Sequence, residues 1–140
     1  MNHANKPEFL SYFHLDVRSL GKNKHKLDDF FLITEVNPTF IAISETKLKT
    51  NFIVNITIPG FNFVHNPLQT HSGGFGLHII SKRTSQLRKI LNLHNVGCES
   101  LFVEAPTSSG KSFIVGLVYR HPAHAIPPFQ DKFIKLATWL

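Results

Sequence analysis

In the stretch Phe40-Ile41-Ala42-Ile43-Ser44-Glu45-Thr46, an apolar run ends abruptly in a carboxylate. Aromatic and β-branched residues fit a pleated surface, so the run reads as a buried strand. Pro38 biases the residue before it towards extended geometry and closes any preceding helix. A carboxylate at the carboxyl end of a buried strand is where an α/β protein commonly displays its chemistry. A second reading stands beside this one. Glu45 is then simply the first solvated residue after the strand, since charged side chains are rarely buried unless paired.

Other candidate chemistry is weaker. Ala105-Pro106-Thr107-Ser108-Ser109-Gly110-Lys111-Ser112 fits a relaxed phosphate-loop pattern, with Ala105 where a glycine is usual. Such a loop needs a helix N-terminus behind it. Here the next segment, Phe113 to Tyr119, is β-branched and apolar, so a hairpin loop is expected instead. The 9 histidines are scattered, and the His121/His124 pair has no second pair to complete a zinc site. Cys98 is the single cysteine, which excludes an internal disulfide and suits a reducing compartment. Asn55-Ile56-Thr57 matches a glycosylation sequon but lacks a secretory context.

These residues must be positioned by a mixed set of elements. A first strand is expected over Phe9 to Val17, followed by a polar turn through Gly21. Lys22 to Val36 carries Leu27, Phe30, Phe31 and Thr34 at helical spacing, with Lys24, Asp28 and Asp29 on the opposite side. The Glu45 strand comes next, and a helical crossover between the two strands implies that they run parallel. Lys47 to Ile58 is a connector without periodicity. After the Pro59-Gly60 turn, Phe61 to His65 is a strand, Gln69 to Ser72 a polar loop, and Gly73 to Gly76 the entry to a strand ending at Ile80. Ser81-Lys82-Arg83 caps that strand. Ser100 to Glu104 and Phe113 to Tyr119 form an expected hairpin. Pro127-Pro128 opens a last helix with Phe129, Phe133, Leu136 and Leu140 on one face. The chain stops at Trp139-Leu140 without a cap, so this helix is expected to be cut short. The order predicts an α/β (α+β) sandwich, with mixed β-sheets flanked by helices, and excludes a doubly wound sheet.

The chain has 140 residues, 42% of them hydrophobic and 13 of them Phe, which suits one domain with a real core. A formal charge of +6 and a pI near 9.7 favour a polyanionic partner, nucleic acid before an anionic membrane. A solvated basic surface is the alternative. Residues 1–8 form a polar tail without the apolar core of a signal peptide. No window is apolar enough to span a bilayer, so no membrane partner is expected. The sequence assigns no location beyond an intracellular one, the nucleus included.

One resemblance gathers these segments. His14-Leu15-Asp16-Val17-Arg18-Ser19-Leu20, Ile41-Ala42-Ile43-Ser44-Glu45-Thr46 and Pro59-Gly60-Phe61-Asn62-Phe63 come first. Gly73-Gly74-Phe75-Gly76-Leu77, Glu99-Ser100-Leu101-Phe102-Val103-Glu104 and Val118-Tyr119-Arg120 follow in order. The ordered set resembles the endonuclease domain of LINE-type (non-LTR) retrotransposons, within the endonuclease/exonuclease/phosphatase superfamily. It covers residues 9–140 as the N-terminal part of such a domain, incomplete at the C-terminus. The resemblance implies a metal-dependent phosphodiester hydrolase that nicks target DNA, using Mg²⁺ or Mn²⁺, with DNA as partner and a reverse transcriptase domain in a longer parent protein. It places the metal-binding glutamate on Glu45 and the phosphate-facing tyrosine on Tyr119. That phenol could donate to a phosphate oxygen or, deprotonated, meet the metal. On the residues alone, a strand-end Tyr also reads as a packing residue. Arg120 could pair with phosphate through its planar fork, and Arg18, Lys82 and Arg83 are further phosphate or DNA-binding candidates.

Two departures qualify the expectation. Asp16 stands where the pattern has asparagine, which keeps an oxygen ligand but loses an N–H donor and adds negative charge, so reduced activity is expected. The downstream Gly-Asp-Phe-Asn and Ser-Asp-His type motifs, which supply the water-positioning pair and the catalytic base, do not occur. The chain alone is therefore expected to be inactive. The alternatives are a non-catalytic nucleic-acid-binding remnant, using Lys22, Lys24, Lys26, Lys82, Arg83, Arg88 and Lys89 on phosphates, or a degenerate fragment prone to aggregate through exposed edges.

Overall fold

The computed structural model describes residues 9–48, 56–66, 74–91, 93, 98–107, 109–120, 123 and 125–139. The tail 1–8, the Gln69–Ser72 loop, His121, His124 and Leu140 lie outside the described residues, as do the side chains of Phe129 and Phe133. The elements are β1 (Tyr12–Asp16), α1 (Leu20–Thr34), β2 (Phe40–Ser44), β3 (Phe61–Asn66) and β4 (Phe75–Ile80). Then come β5 (Gln86–Leu87), a 3-10 turn (Lys89–Leu91), β6 (Cys98–Pro106), β7 (Ser112–Arg120) and α2 (Ile126–Trp139).

Two sheets pack face to face. The first has the order β1-β2-β4-β3 and the second β5-β6-β7. β1 and β2 are parallel, as the intervening helix requires, and every other pairing is antiparallel. β2 is buried at all five positions because both its faces are covered. Phe40 and Ala42 point between the sheets, where they meet Phe75, Leu77, Ile79, Leu101, Val103 and Leu117. Ile41 and Ile43 point outward to Leu20 and Leu27 of α1 and to Leu48, Ile56 and Ile58. The apolar run thus serves two cores at once. It is the central plank of the molecule.

β4 shows how the same period sorts side chains. Phe75, Leu77 and Ile79 face the second sheet, while Gly76 and His78 face the α1 layer. His78 is fully buried; its Nε2–H donates to the Ile56 carbonyl at 3.0 Å, and its ring lies 4.3 Å from that of Phe63. Its Nδ1 has no partner among the described residues.

Several local expectations are corrected by tertiary packing. α1 begins at Leu20 rather than Lys22, because Leu20 is fully buried and its N–H, with that of Ser19, donates to the Thr46 and Glu45 carbonyls at 2.8 Å each. Lys24 lies on the inward stripe with Leu20, Leu27 and Phe31, not opposite it. Its side chain is only 14% exposed and its ammonium pairs with Asp28 one turn on. Thr34 faces solvent instead of the sheet, its hydroxyl donating to the Phe30 carbonyl at 2.7 Å. β5 and the 3-10 turn were not foreseen. Arg88, between them, pairs with Glu104 of β6. The phosphate-loop look-alike is a hairpin: Thr107 N–H donates to Lys111 O, Gly110 N–H to Thr107 O, and β7 follows directly.

Candidate metal and phosphate site

The parallel register of β1 and β2 sets Asp16 opposite Ser44, so Asp16 and Glu45 emerge at neighbouring carboxyl ends. The ladder then runs on past the strands. Val17 N–H donates to Ser44 O at 3.2 Å, and the Ser19 and Leu20 N–H groups take the next two carbonyls. This stitching forces unusual backbone. Arg18 (φ 46°), Ser19 (φ 105°), Glu45 (φ 52°) and Lys47 (φ 53°) all have positive φ, and among described non-glycine residues only Glu35 joins them. Such conformations cost energy and persist where surrounding structure imposes them, often at functional sites. Asp16 Oδ1 accepts the Arg18 N–H at 3.2 Å, which holds one oxygen of that carboxylate.

The second sheet brings Tyr119 to the same place. Phe113, Val115, Leu117 and Tyr119 form the inward face of β7. The Tyr119 hydroxyl donates to Glu45 Oε1 at 3.2 Å. Below it a cavity of about 70 Å³ is lined by His14, Ser44, Phe75 and Leu117 among others. That volume is too small for a nucleotide, so a nucleic-acid backbone would be met from outside, at the rim where the carboxylates stand. Partial burial, then the charge and hydrogen bond of Glu45, then Asp16 and Glu99, push the Tyr119 phenol above its usual value. With no metal ion bound, Tyr119 is therefore a protonated donor at neutral pH.

The two-sheet architecture now bears comparison with solved structures. The chain superposes on the AP endonuclease LMAP from Leishmania major with a TM-score of 0.69 at 13% identity, covering 91% of this chain and 47% of that one. For D. rerio TDP2 complexed with single strand DNA product the values are 0.55, 11%, 93% and 52%. For the Xenopus laevis APE2 catalytic domain they are 0.52, 9%, 93% and 50%. The chain has the endonuclease/exonuclease/phosphatase fold. It spans about half the length of these structures. No protein-family model matches the chain, and no curated protein matches it.

Within the endonuclease/exonuclease/phosphatase fold, the expected residues divide by position. Asp16, Arg18, Glu45 and Tyr119 gather at one end of the sandwich. Arg120 follows Tyr119 on the opposite face of β7. Lys82 and Arg83 do not join them. β4 runs antiparallel to β2, so they sit at the far end of the first sheet, roughly 17 Å away at about 3.4 Å per residue. There Arg83 donates to the Pro106 carbonyl at 2.8 Å and lies over the Phe113 ring. Two of the seven basic residues considered for phosphate binding, Lys24 and Arg88, are already paired with carboxylates.

The donor set fits a hard divalent cation. Glu45 and Asp16 offer carboxylate oxygens, and the charges of three carboxylates, Glu45, Asp16 and Glu99, act on one phenol. Among the described residues no group of three or more His, Cys, Asp or Glu converges on a point. One or two carboxylates with water and phosphate completing the shell is the manner in which Mg²⁺ is usually held. Sequence reasoning placed Gly74 and Glu99 in the ordered motif set but assigned neither a role in the site. Glu99 Oε2 accepts the Gly74 N–H at 2.9 Å, a contact spanning 25 positions that no local pattern signals.

Proposed function

We propose that this chain is the N-terminal half of a metal-dependent endonuclease that hydrolyses DNA phosphodiesters, of the kind carried by LINE-type retrotransposons. The observation that carries this reading is the Tyr119–Glu45 hydrogen bond, which joins the two sheets at the carboxyl ends of β1 and β2. Glu45, with Asp16 beside it, would hold Mg²⁺ or Mn²⁺. Bound there, the ion supplies Lewis-acid stabilisation of phosphate charge. Tyr119 keeps its proton and donates it in a hydrogen bond to an acceptor at the rim, Glu45 here and a phosphate oxygen in a substrate complex. Arg18 adds positive charge beside Asp16. Asp16 has no N–H to offer a phosphate, so it orients substrate less well than an asparagine would.

DNA as the substrate class is supported by the D. rerio TDP2 structure, which holds a single strand DNA product, and by the net charge of +6. The retrotransposon setting, with a reverse transcriptase domain in a longer parent protein, rests on the ordered motif set of the sequence. The sequence holds no Gly-Asp-Phe-Asn or Ser-Asp-His type motif to supply the catalytic base, so on this reading the chain alone binds without cutting.

Two measurements test this. Mn²⁺ titration followed by electron paramagnetic resonance should show a site that Glu45→Ala abolishes; binding unchanged by Glu45→Ala sinks the metal reading. A supercoiled-plasmid assay with Mg²⁺ should show no nicking by the chain alone, whereas Glu45-dependent nicking would show that the chain carries a complete site. DNA retention without Glu45-dependent metal binding, weakening as salt rises, would favour a non-catalytic nucleic-acid binder instead.

A further inference from the structure

We propose that Glu99 is the positioning residue of this site, fixing through Gly74 the strand end that presents Glu45 to Tyr119. Glu99 lies on the inward face of β6, in register with Tyr119 across the β6–β7 ladder. Its Oε2 accepts the Gly74 N–H at 2.9 Å. The Gly74 carbonyl accepts the Thr46 N–H at 2.9 Å, and Thr46, fully buried, follows Glu45 directly. Tyr119 closes the circuit by donating to Glu45 Oε1 at 3.2 Å.

Each link crosses between elements at this end of the sandwich, continuing past the Ser44–Phe75 end of the β2–β4 ladder. Glu99 to Gly74 ties the second sheet to the entry of β4, and Gly74 to Thr46 ties that entry to the end of β2. Gly74 has φ +78°, a conformation open to glycine and strained for most other residues. The β4 entry can therefore turn its N–H towards Glu99 and its carbonyl towards Thr46. Glu45 itself has φ 52°, so its direction depends on the groups that hold its neighbours. A charged acceptor makes the stronger type of bond to a backbone N–H. The reach of Glu99 decides whether that bond forms.

The inference rests on the reading that Glu45 is a metal ligand, and its test separates the two. Mn²⁺ affinity and amide exchange at Gly74 and Thr46 are measured for the wild type, Glu99→Gln, Glu99→Asp and Glu99→Ala. Glu99→Gln keeps an acceptor oxygen at the same reach and should retain most of the affinity and the protection of both amides. Glu99→Asp keeps the charge but withdraws it by one methylene. It should lose protection at both amides and bind Mn²⁺ roughly 10- to 100-fold more weakly, the range seen when support of a metal ligand is removed. Glu99→Ala should match it. If Glu99→Ala folds poorly, the Asp and Gln pair still decides. Unchanged Thr46 exchange in Glu99→Asp overturns the proposal, as does equal loss in Gln and Asp variants. Binding that ignores Glu45→Ala removes the metal reading, while the amide arm still reports on Glu99.

Discussion

Tyr119 and Glu45 stand 74 positions apart in the chain, yet the phenol of one donates to the carboxylate of the other at 3.2 Å. The bond spans the two sheets, so it exists only when both have formed and packed. It also concentrates negative charge around one hydroxyl, with Asp16 and Glu99 adding to Glu45. Negative charge gathered there holds the phenol protonated.

That electrostatic arrangement predicts the behaviour of the phenol. With Tyr12→Phe as background, Tyr119 is the remaining one of 2 tyrosines and its ultraviolet titration is isolated. It should titrate above 10.0, and Glu45→Gln should bring it down by removing both a charge and an acceptor. The raised value contributes stability that is complete below the ordinary tyrosine range and is lost as pH rises through the folded value. A wild-type phenol titrating at or below 10.0 would refute the arrangement.

His78 gives a stability prediction on the acid side. Burial, opposed by the bond to the Ile56 carbonyl, lowers its pKa from 6.5 to about 4, with Lys24 lowering and Asp28 raising it further. The unfolded chain therefore binds the proton more readily than the folded one. The stability due to neutral His78 is present above pH 6.5 and is lost as pH falls towards 4. Burial lowers His65 in the same direction. Denaturant unfolding should show a loss of about 2 kcal/mol between pH 7 and pH 5. His78→Gln should flatten most of that slope.

Gly76 is required by space. A Cβ there would stand 2.3 Å from the Phe63 ring. That ring cannot withdraw freely, being stacked on His65 with centroids 5.4 Å apart and lying 4.3 Å from His78. Gly76→Ala should cost about 1–3 kcal/mol in a denaturant melt. Adding Phe63→Leu should recover part of it, because the smaller side chain vacates the contested volume.

Glu35 offers a gain. It closes α1 in the left-handed conformation at φ 54°, exposed and remote from the candidate site around Glu45. Glycine occupies that position without a Cβ penalty. Glu35→Gly should raise stability by about 0.5–1 kcal/mol in the same assay, the relief of strain exceeding the added freedom of the unfolded chain.

Much of the fold was legible because side-chain period is a local property. The Phe40–Ser44 strand, the β6–β7 hairpin and the rejection of the phosphate loop in favour of a turn each followed from a few adjacent residues. The parallel pairing of β1 and β2 followed from the helix between them. Lys24 shows where the local reading fails. Its charge argued for the outer face, but its position four residues after Leu20 placed it on the buried stripe, where Asp28 pairs with it and its stem covers apolar surface.

The sequence by itself determined most of the elements, β5 and the 3-10 turn excepted, with the carboxylate at the end of the central strand and the excess of positive charge. Only the tertiary structure decided which side chains meet. Register and sheet packing brought Tyr119 and Glu99 to Glu45 and carried Lys82 and Arg83 to the other end of the same sheet. Periodicity fixes the face a residue occupies. Convergence between residues tens of positions apart depends on how two sheets stack, and that is set by the whole core at once.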